Sequence, residues 1–254
     1  MSNVADTIGS SSRTVHRILQ LSPPTTTGVP DISPVANRRI MIIVDCTYFK
    51  RICVYLVVRD WYTKKNIYYK RVPYETIHAY VEAIDYLEKQ GYVIDGIVID
   101  GRRGLFKIFS PSYPIQMCQF HQKQIVRKYL TNHPQTEAGQ ELKKIVEQLA
   151  SCDREWFEIL LDVWYTKYGS FIKERTVNPI NPKRWHYTHK RLRSAYRSLR
   201  TNLPYLFTYK TTKGMPNTTN SLDGFFSHLK DGVRIHRGLK LGRKMKLIEY
   251  LIVR

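Results

Sequence analysis

The sequence predicts an α/β fold, a mixed five-stranded sheet with flanking helices. Two observations carry this reading. Two apolar runs each end on an aspartate: Ile40-Met41-Ile42-Ile43-Val44 leads to Asp45, and Val93-Ile94-Asp95-Gly96-Ile97-Val98-Ile99 leads to Asp100. Short runs of this kind, rich in β-branched residues, mark buried strands. Between them, apolar residues recur at helical spacing, and a helical crossover is what two parallel neighbouring strands need.

Taken in chain order, residues 1–20 read as a helix-turn-helix. Ala5, Gly9 and Val15 fall at the spacing of that motif. A small residue lets two helices approach, Gly9 takes the left-handed turn, and Val15 packs the second helix back. Ser11 or Ser12 would cap the second helix. Arg13, Thr14, His16 and Arg17 would then face a major groove. The alternative is an ordinary helix pair. The first helix is very short, so Met1 is expected to open midway through a larger DNA-binding head. Residues 21–38 hold Pro23, Pro24, Pro30 and Pro34 among Thr and Ser. Proline breaks both helix and ladder, so this segment is expected to be a linker to the main domain, residues 39–254.

Strands are expected over 39–45, 52–60 and 66–72, joined by short connections into an antiparallel meander. A helix follows over 75–90, with Ile77, Tyr80, Val81, Ile84 and Leu87 on one face and Gly91 ending it. The fourth strand, 93–100, is expected parallel to the first. A short helix at 103–109 and a fifth strand at 114–120 complete the sheet. Residues 122–175 read as mainly helical, with Trp156, Phe157, Trp164 and Tyr165 for bulk, and a basic helix spans 188–201. A break at 213–217 precedes a helix holding Asp223, and a last helix begins near Lys240.

Charge narrows the class of partner. Among 254 residues, 41 Lys and Arg face 21 Asp and Glu, a formal net charge of +20. That surplus attracts polyanions, with nucleic acid as the default. Basic residues alternate with aromatics in Arg184-Trp185-His186-Tyr187 and in Arg191-Leu192-Arg193-Ser194-Ala195-Tyr196-Arg197. This suits a nucleic-acid groove better than a merely solubilising face. Cys46, Cys53, Cys118 and Cys152 form no CxxC pair, which fits a reducing cytoplasm. No apolar run reaches the roughly 18 residues of a membrane span, and no signal-peptide pattern opens the chain.

Carboxylates delivered by neighbouring strands, with a third on a helix, can hold two divalent ions about 4 Å apart. Asp45, Asp100 and Asp223 are the candidates for catalysis and metal binding. Their oxygens favour Mg²⁺ or Mn²⁺ over zinc. In Thr219-Asn220-Ser221-Leu222-Asp223, Thr219 or Asn220 can cap the helix. Asp223, Ser227 and Lys230 then share one face, with Leu222, Phe225, Phe226 and Leu229 on the buried side. Glu249 is a rival third acid. Cys118-Gln119-Phe120-His121 reads as the end of the fifth strand, and its Cys118 and His121 have no convincing second pair for structural zinc. Lys230, Arg102, Arg103, Lys123, Arg184 and Arg191 are candidates for contacts to a DNA backbone.

Four motifs occur in one order: Val44-Asp45-Cys46-Thr47-Tyr48-Phe49, Val98-Ile99-Asp100-Gly101, Cys118-Gln119-Phe120-His121 and Thr219-Asn220-Ser221-Leu222-Asp223. In this the chain resembles the Mutator-type DDE transposases of bacterial insertion sequences, over roughly residues 39–253. The resemblance implies an RNase H-like core with a helical insertion, here about 122–200. It implies two Mg²⁺ or Mn²⁺ ions, cleavage at transposon ends, and joining of the 3′-hydroxyl to target DNA. Double-stranded DNA would be the partner, both terminal repeats and target, in a homodimer or larger synaptic complex. The family's third acid is usually Glu, and the matching residue is Asp223, one methylene shorter. Two other readings stand beside this one: a nuclease of the same fold, and a non-catalytic DNA-binding remnant.

Overall fold

The computed structural model of the protein describes residues 11, 13, 17, 27–28, 37–49, 53–102, 104–181, 183–236 and 238–253. The strands are β1 (Thr27–Gly28), β2 (Arg38–Phe49), β3 (Cys53–Asp60), β4 (Asn66–Val72), β5 (Tyr92–Ile99), β6 (Ile115–Met117), β7 (Arg175–Val177) and β8 (Trp185–Tyr187). The helices are α1 (Ile77–Lys89), α2 (Leu105–Phe109), α3 (Gln119–Leu130), α4 (Glu137–Glu147), α5 (Arg154–Tyr168), α6 (Lys190–Leu206), α7 (Thr208–Thr211), α8 (Asn220–Ile235) and α9 (Leu241–Val253). The chain divides into two compact units: the described residues up to Ile97 together with those from Thr219 onward, and Val98–Thr218. Strand β5 contributes to both.

In the first unit the strands lie in the order β1-β4-β3-β2-β5. β2, β3 and β4 form the expected antiparallel meander, with Asp45 opposite Val57 and Val57 opposite Tyr69. Ile40 to Val44 are all buried, whichever face of β2 they point to. That is why the run is continuously apolar rather than alternating. β2 is longer than expected. It pairs with β3 as far as Phe49, opposite Cys53, so Asp45 lies within the strand and not at its end. Thr27 and Gly28, in the segment expected to be a linker, pair with Lys70 and Tyr69 on β4.

The helices of this unit begin and end for local reasons. Thr76 caps α1 by accepting a 3.1 Å hydrogen bond from the Ala79 N–H. Gly91, at φ 85°, follows its end as expected. Ala79, Tyr80, Ala83, Ile84 and Leu87 form the buried stripe of α1. Helix α8 packs on β2 and on α9, and α9 packs on β4. The Asn66 side-chain amide donates to the Ile252 carbonyl at 2.8 Å, which fastens the end of α9 to β4.

In the second unit, β6 lies beside the end of β5, where the Cys118 N–H donates to the Ile99 carbonyl at 2.9 Å. Trp164 of α5 is the largest fully buried side chain, stacked 5.0 Å from Tyr196 of α6, with its indole N–H donating to the Ala138 carbonyl of α4 at 2.9 Å. The indole thus contributes apolar bulk while its polar atom is satisfied. The stretch expected as a helical insertion, about 122–200, also contains a hairpin between its helices, β7 paired with β8, with Val177 opposite Trp185.

The antiparallel meander continues through β3 and β4 on one side of β2, and β5, reached through α1, lies on its other side, which makes a mixed sheet. The fold is α/β, with helices flanking a mixed sheet as expected.

Candidate active site

Each candidate carboxylate is held by its own local structure. Asp45 is half-buried on β2, and its Oδ1 accepts from the Cys46 N–H at 2.7 Å. Asp223 lies in the first turn of α8, where a negative side chain is favoured by the helix dipole. Thr219 precedes that helix, but its hydroxyl does not cap a backbone N–H. It donates to Asp223 Oδ2 at 2.8 Å instead, orienting the carboxylate. Because α8 packs on β2, Asp45 and Asp223 belong to packed elements of one unit. The helix buries Leu222, Phe226 and Leu229, while Ser227 and Lys230 are exposed. Phe225, expected on the buried side, is only half-buried. The Arg59 guanidinium lies 5.3 Å from its ring centroid, a cation on an aromatic face.

Asp100 belongs to the second unit. It is the first residue after β5, half-buried, and its Oδ1 accepts from the Arg102 N–H at 3.0 Å. A side chain at Gly101 beside it would displace the ends of two neighbouring side chains. A Cβ there would lie 2.6 Å from Met117 Cε and 3.0 Å from Ile125 Cδ1. The glycine of the Asp-Gly pair thus answers to the close approach of β6 and α3, not to a turn with positive φ.

The Cys118–His121 motif sits differently from its expected place. The fifth strand stops at Met117, and Cys118 is the residue before α3. Cys118 is fully buried, and His121 is half-buried with its ring edge-on to Phe120 at 5.8 Å. The strand ends early because Gln119 turns inward as the first residue of a helix. Its side-chain amide donates to the carbonyls of Leu149 at 3.2 Å and Leu206 at 2.9 Å, and accepts from Asn217 at 3.0 Å. Gln116 also donates to Leu206, at 3.0 Å, and accepts from the Tyr209 N–H at 2.9 Å. Gln122 donates to Ser198 at 3.1 Å and accepts from Asn202 at 2.7 Å. Gln116 and Gln119 satisfy the Leu206 carbonyl at the end of α6, Gln122 bonds the Ser198 and Asn202 side chains within that helix, and together the three fasten β6 and α3 to it. Sequence reasoning passed over them. Their signal was the three-residue spacing of Gln116, Gln119 and Gln122.

Glu249, the rival third acid, is buried in the first unit and accepts from the Tyr55 hydroxyl at 2.9 Å. Burial, and then the negative charge of Glu249, push the Tyr55 phenol well above its ordinary range. Glu249 thus serves to anchor α9 on β3.

Of the candidate DNA contacts, Arg184, Arg191 and Lys230 are exposed, and Arg102 and Lys123 are half-buried. Lys123 donates to the Glu147 carbonyl at 3.2 Å and Arg191 to the Lys128 carbonyl at 2.8 Å, so both heads also serve the helical unit. Arg13 and Arg17 are helical and exposed. Thr14, His16 and Arg103 lie outside the described residues, as does most of the expected helix-turn-helix.

As a donor set, three aspartates match a hard divalent cation such as Mg²⁺ or Mn²⁺. Among the described residues, however, no group of three or more His, Cys, Asp or Glu side chains is placed to share one metal ion. The described residues also include no helix long and apolar enough to cross a membrane.

No protein-family model and no curated protein matches the chain. Among solved structures it is similar to the Drosophila P element transposase in its strand transfer complex, at 14% identity and a TM-score of 0.38, covering 96% of this chain and 85% of that one. It is also similar to the large terminase nuclease of the thermophilic phage G20c, at 10% identity and a TM-score of 0.26, covering 74% of this chain and 96% of that one.

Proposed function

We propose that the protein is a DNA transposase that cuts and joins strands at transposon ends, with Asp45, Asp100 and Asp223 as its acidic residues. One observation carries the reading. In a chain of net charge +20, one acid lies within the central strand β2, a second follows β5, and a third opens a helix packed on β2. Acids at those positions of an RNase H-like sheet suit phosphodiester chemistry, and the basic excess suits its polyanionic substrate.

The three carboxylates would hold Mg²⁺ or Mn²⁺, which when bound activates an oxygen nucleophile and stabilises the departing oxygen. The protein's own contribution is orientation and attraction. The Cys46 N–H aims Asp45, the Arg102 N–H aims Asp100, and the Thr219 hydroxyl aims Asp223. Hydrogen-bonded acids of this kind hold a fixed geometry before substrate arrives. Lys230 and Arg184, both exposed, provide backbone contacts that set affinity and make it salt-sensitive. Terminal-repeat recognition is assigned to the 1–20 head, and two DNA ends call for a dimer or larger assembly.

The test is a cleavage and strand-transfer assay on labelled DNA carrying the element's own ends, with Mg²⁺, Mn²⁺ or EDTA. Asp45→Asn and Asp100→Asn are expected to abolish cleavage and to spare DNA binding. Nicking without joined product would reduce the assignment to a nuclease. Unchanged metal-dependent cleavage by a folded Asp45→Asn/Asp100→Asn double variant would refute the triad.

A further inference from the structure

Apart from the backbone contact given to Arg184 in its loop, the β7–β8 hairpin has no part in the function above, yet its construction is unusual. Arg175, Thr176 and Val177 on one strand and Trp185 and His186 on the other are all exposed. Neither face of the ribbon is therefore buried against its own unit, so ordinary core packing does not account for it. The described residues that connect its strands are nonetheless held by hydrogen bonds. The Asn178 side chain accepts from the N–H groups of Ile180 at 2.8 Å and Asn181 at 3.2 Å. Asn178 N–H donates to the Arg184 carbonyl at 2.8 Å, and Arg184 N–H to the Asn181 carbonyl at 2.9 Å.

This clamped loop projects an apolar side chain. Ile180, next to Pro179, is 93% exposed, the most exposed large hydrophobic residue among those described. The surroundings are strongly cationic. Residues 173–197 contain eight Lys or Arg and a single acid, Glu174. That acid is engaged by His189 at 3.1 Å. The hairpin also carries its own bracing: the Arg175 guanidinium lies 4.0 Å from the Trp185 ring centroid, and Arg193 lies 4.0 Å from that of Tyr187. A rigid basic ribbon tipped by a solvent-exposed isoleucine has the parts of a DNA-bending arm. Cations follow the phosphates, and an apolar wedge enters between two base pairs and unstacks them.

We propose that the β7–β8 hairpin is such an arm, with Ile180 as the side chain that wedges into a base step of duplex DNA. The proposal rests on the DNA-binding part of the reading above and is independent of the acidic residues. Charge complementarity selects the occupant: an apolar partner surface would leave the eight cations of this segment facing low dielectric, whereas a duplex neutralises them.

The experiment uses the full chain with a 30-base-pair duplex bearing end-to-end energy-transfer dyes and a central TA step flanked by 2-aminopurine. TA steps unstack readily. Wild type is expected to bend the duplex by about 20–90° and to raise the 2-aminopurine signal. Ile180→Ala is expected to lose most of both effects while its Kd changes less than about fivefold. Arg175→Ala/Lys183→Ala/Arg184→Ala is expected to weaken binding and flatten its salt dependence, each lost phosphate contact lowering the log-log slope by about 0.9. Because Ile180 is outside the core, its variant is expected to fold, and unchanged circular dichroism checks this. Binding by wild type without bending would overturn the proposal and leave the transposase reading intact. Unaltered bending by Ile180→Ala would also overturn it, as would loss of the 2-aminopurine signal only in Trp185→Ala, which would assign the contact to stacking by tryptophan. A bend retained by Asp100→Asn supports it by separating the arm from cleavage.

Discussion

The third acid provides the sharpest test, because Asp223 and Glu249 differ in what each change would cost. Glu249 is 6% exposed and Tyr55 is fully buried, with 2.9 Å between hydroxyl and carboxylate. A buried hydrogen bond to a charged acceptor is worth roughly 1.5–3 kcal/mol and a neutral one roughly 0.5–1.5 kcal/mol. Glu249→Gln keeps an acceptor for Tyr55 but not the charge, so it is expected to cost about 1 kcal/mol of stability. Glu249→Ala leaves the phenol without that partner and removes one buried methylene with the carboxylate, for about 3 kcal/mol in total. Asp223→Asn retains an oxygen for the Thr219 hydroxyl and loses a charge at a helix start, a stability cost of about 0.3–1 kcal/mol. Its effect on cleavage is expected to be large. Losing about 3 kcal/mol of transition-state stabilisation means a loss of about a hundredfold or more. The assay pairs urea unfolding with metal-dependent cleavage for all three variants. The expected pattern is crossed: Glu249→Gln is less stable and active, and Asp223→Asn is nearly as stable and inactive. Cleavage surviving in Asp223→Asn and abolished in a folded Glu249→Gln would refute the reasoning.

Two further outcomes concern the first unit's framework. Asp60 is fully buried and takes the Arg38 guanidinium at 3.1 Å, the Thr63 hydroxyl at 2.6 Å and the backbone N–H groups of Tyr62 and Thr63. Asp60→Ala strips the partly buried Arg38 of that partner and is expected to cost about 3 kcal/mol, read as a lower urea midpoint. Burial pushes the Cys53 thiol up to about 11 from an ordinary 9.0. The folded state then holds this proton more tightly than the unfolded state does, so the contribution is complete below about pH 9 and is lost as pH rises from about 9 through about 11. The urea midpoint of wild type should fall more steeply across that window than that of Cys53→Ala, and parallel curves would dismiss the shift.

What the sequence made legible was set by burial and local pattern. The run from Ile40 to Val44 announced a strand covered on both faces, and it is one. The meander and Gly91's helix stop follow from alternation and backbone preference, both local properties. The fifth strand expected at 114–120 is present but ends early, at Met117, for an equally physical reason. Ile115, Gln116, Met117, Cys118 and Gln119 are all buried, so the apolar and polar residues there do not alternate between core and solvent. The buried glutamines are explained by partners distant in sequence: the Leu149 and Leu206 carbonyls for Gln116 and Gln119, and Ser198 and Asn202 for Gln122. The β7–β8 hairpin escaped notice because three-residue strands exposed to solvent carry no period to detect.

The acids show the same division between local and distant information. That Asp45 and Asp100 accompany strands, and that Asp223 opens a helix, could be read from neighbours a few residues away. Which hydroxyl or amide orients each carboxylate could not. Thr219 illustrates why: a threonine before a helix reads as a backbone cap, and the choice between capping and bonding Asp223 turns on rotamer geometry that sequence does not record. The same threonine offers a way to separate orientation from ligation. Thr219→Val is close in shape, keeps all three aspartates and removes the 2.8 Å donor. If preorganisation of Asp223 matters to cleavage, Thr219→Val should lower the cleavage rate by about tenfold, the scale for losing a hydrogen bond to a metal ligand. It should do so with little change in DNA affinity, because no cation is removed. A rate equal to wild type would mean that Asp223 needs no such support, and would limit the hydroxyl's role to the start of α8.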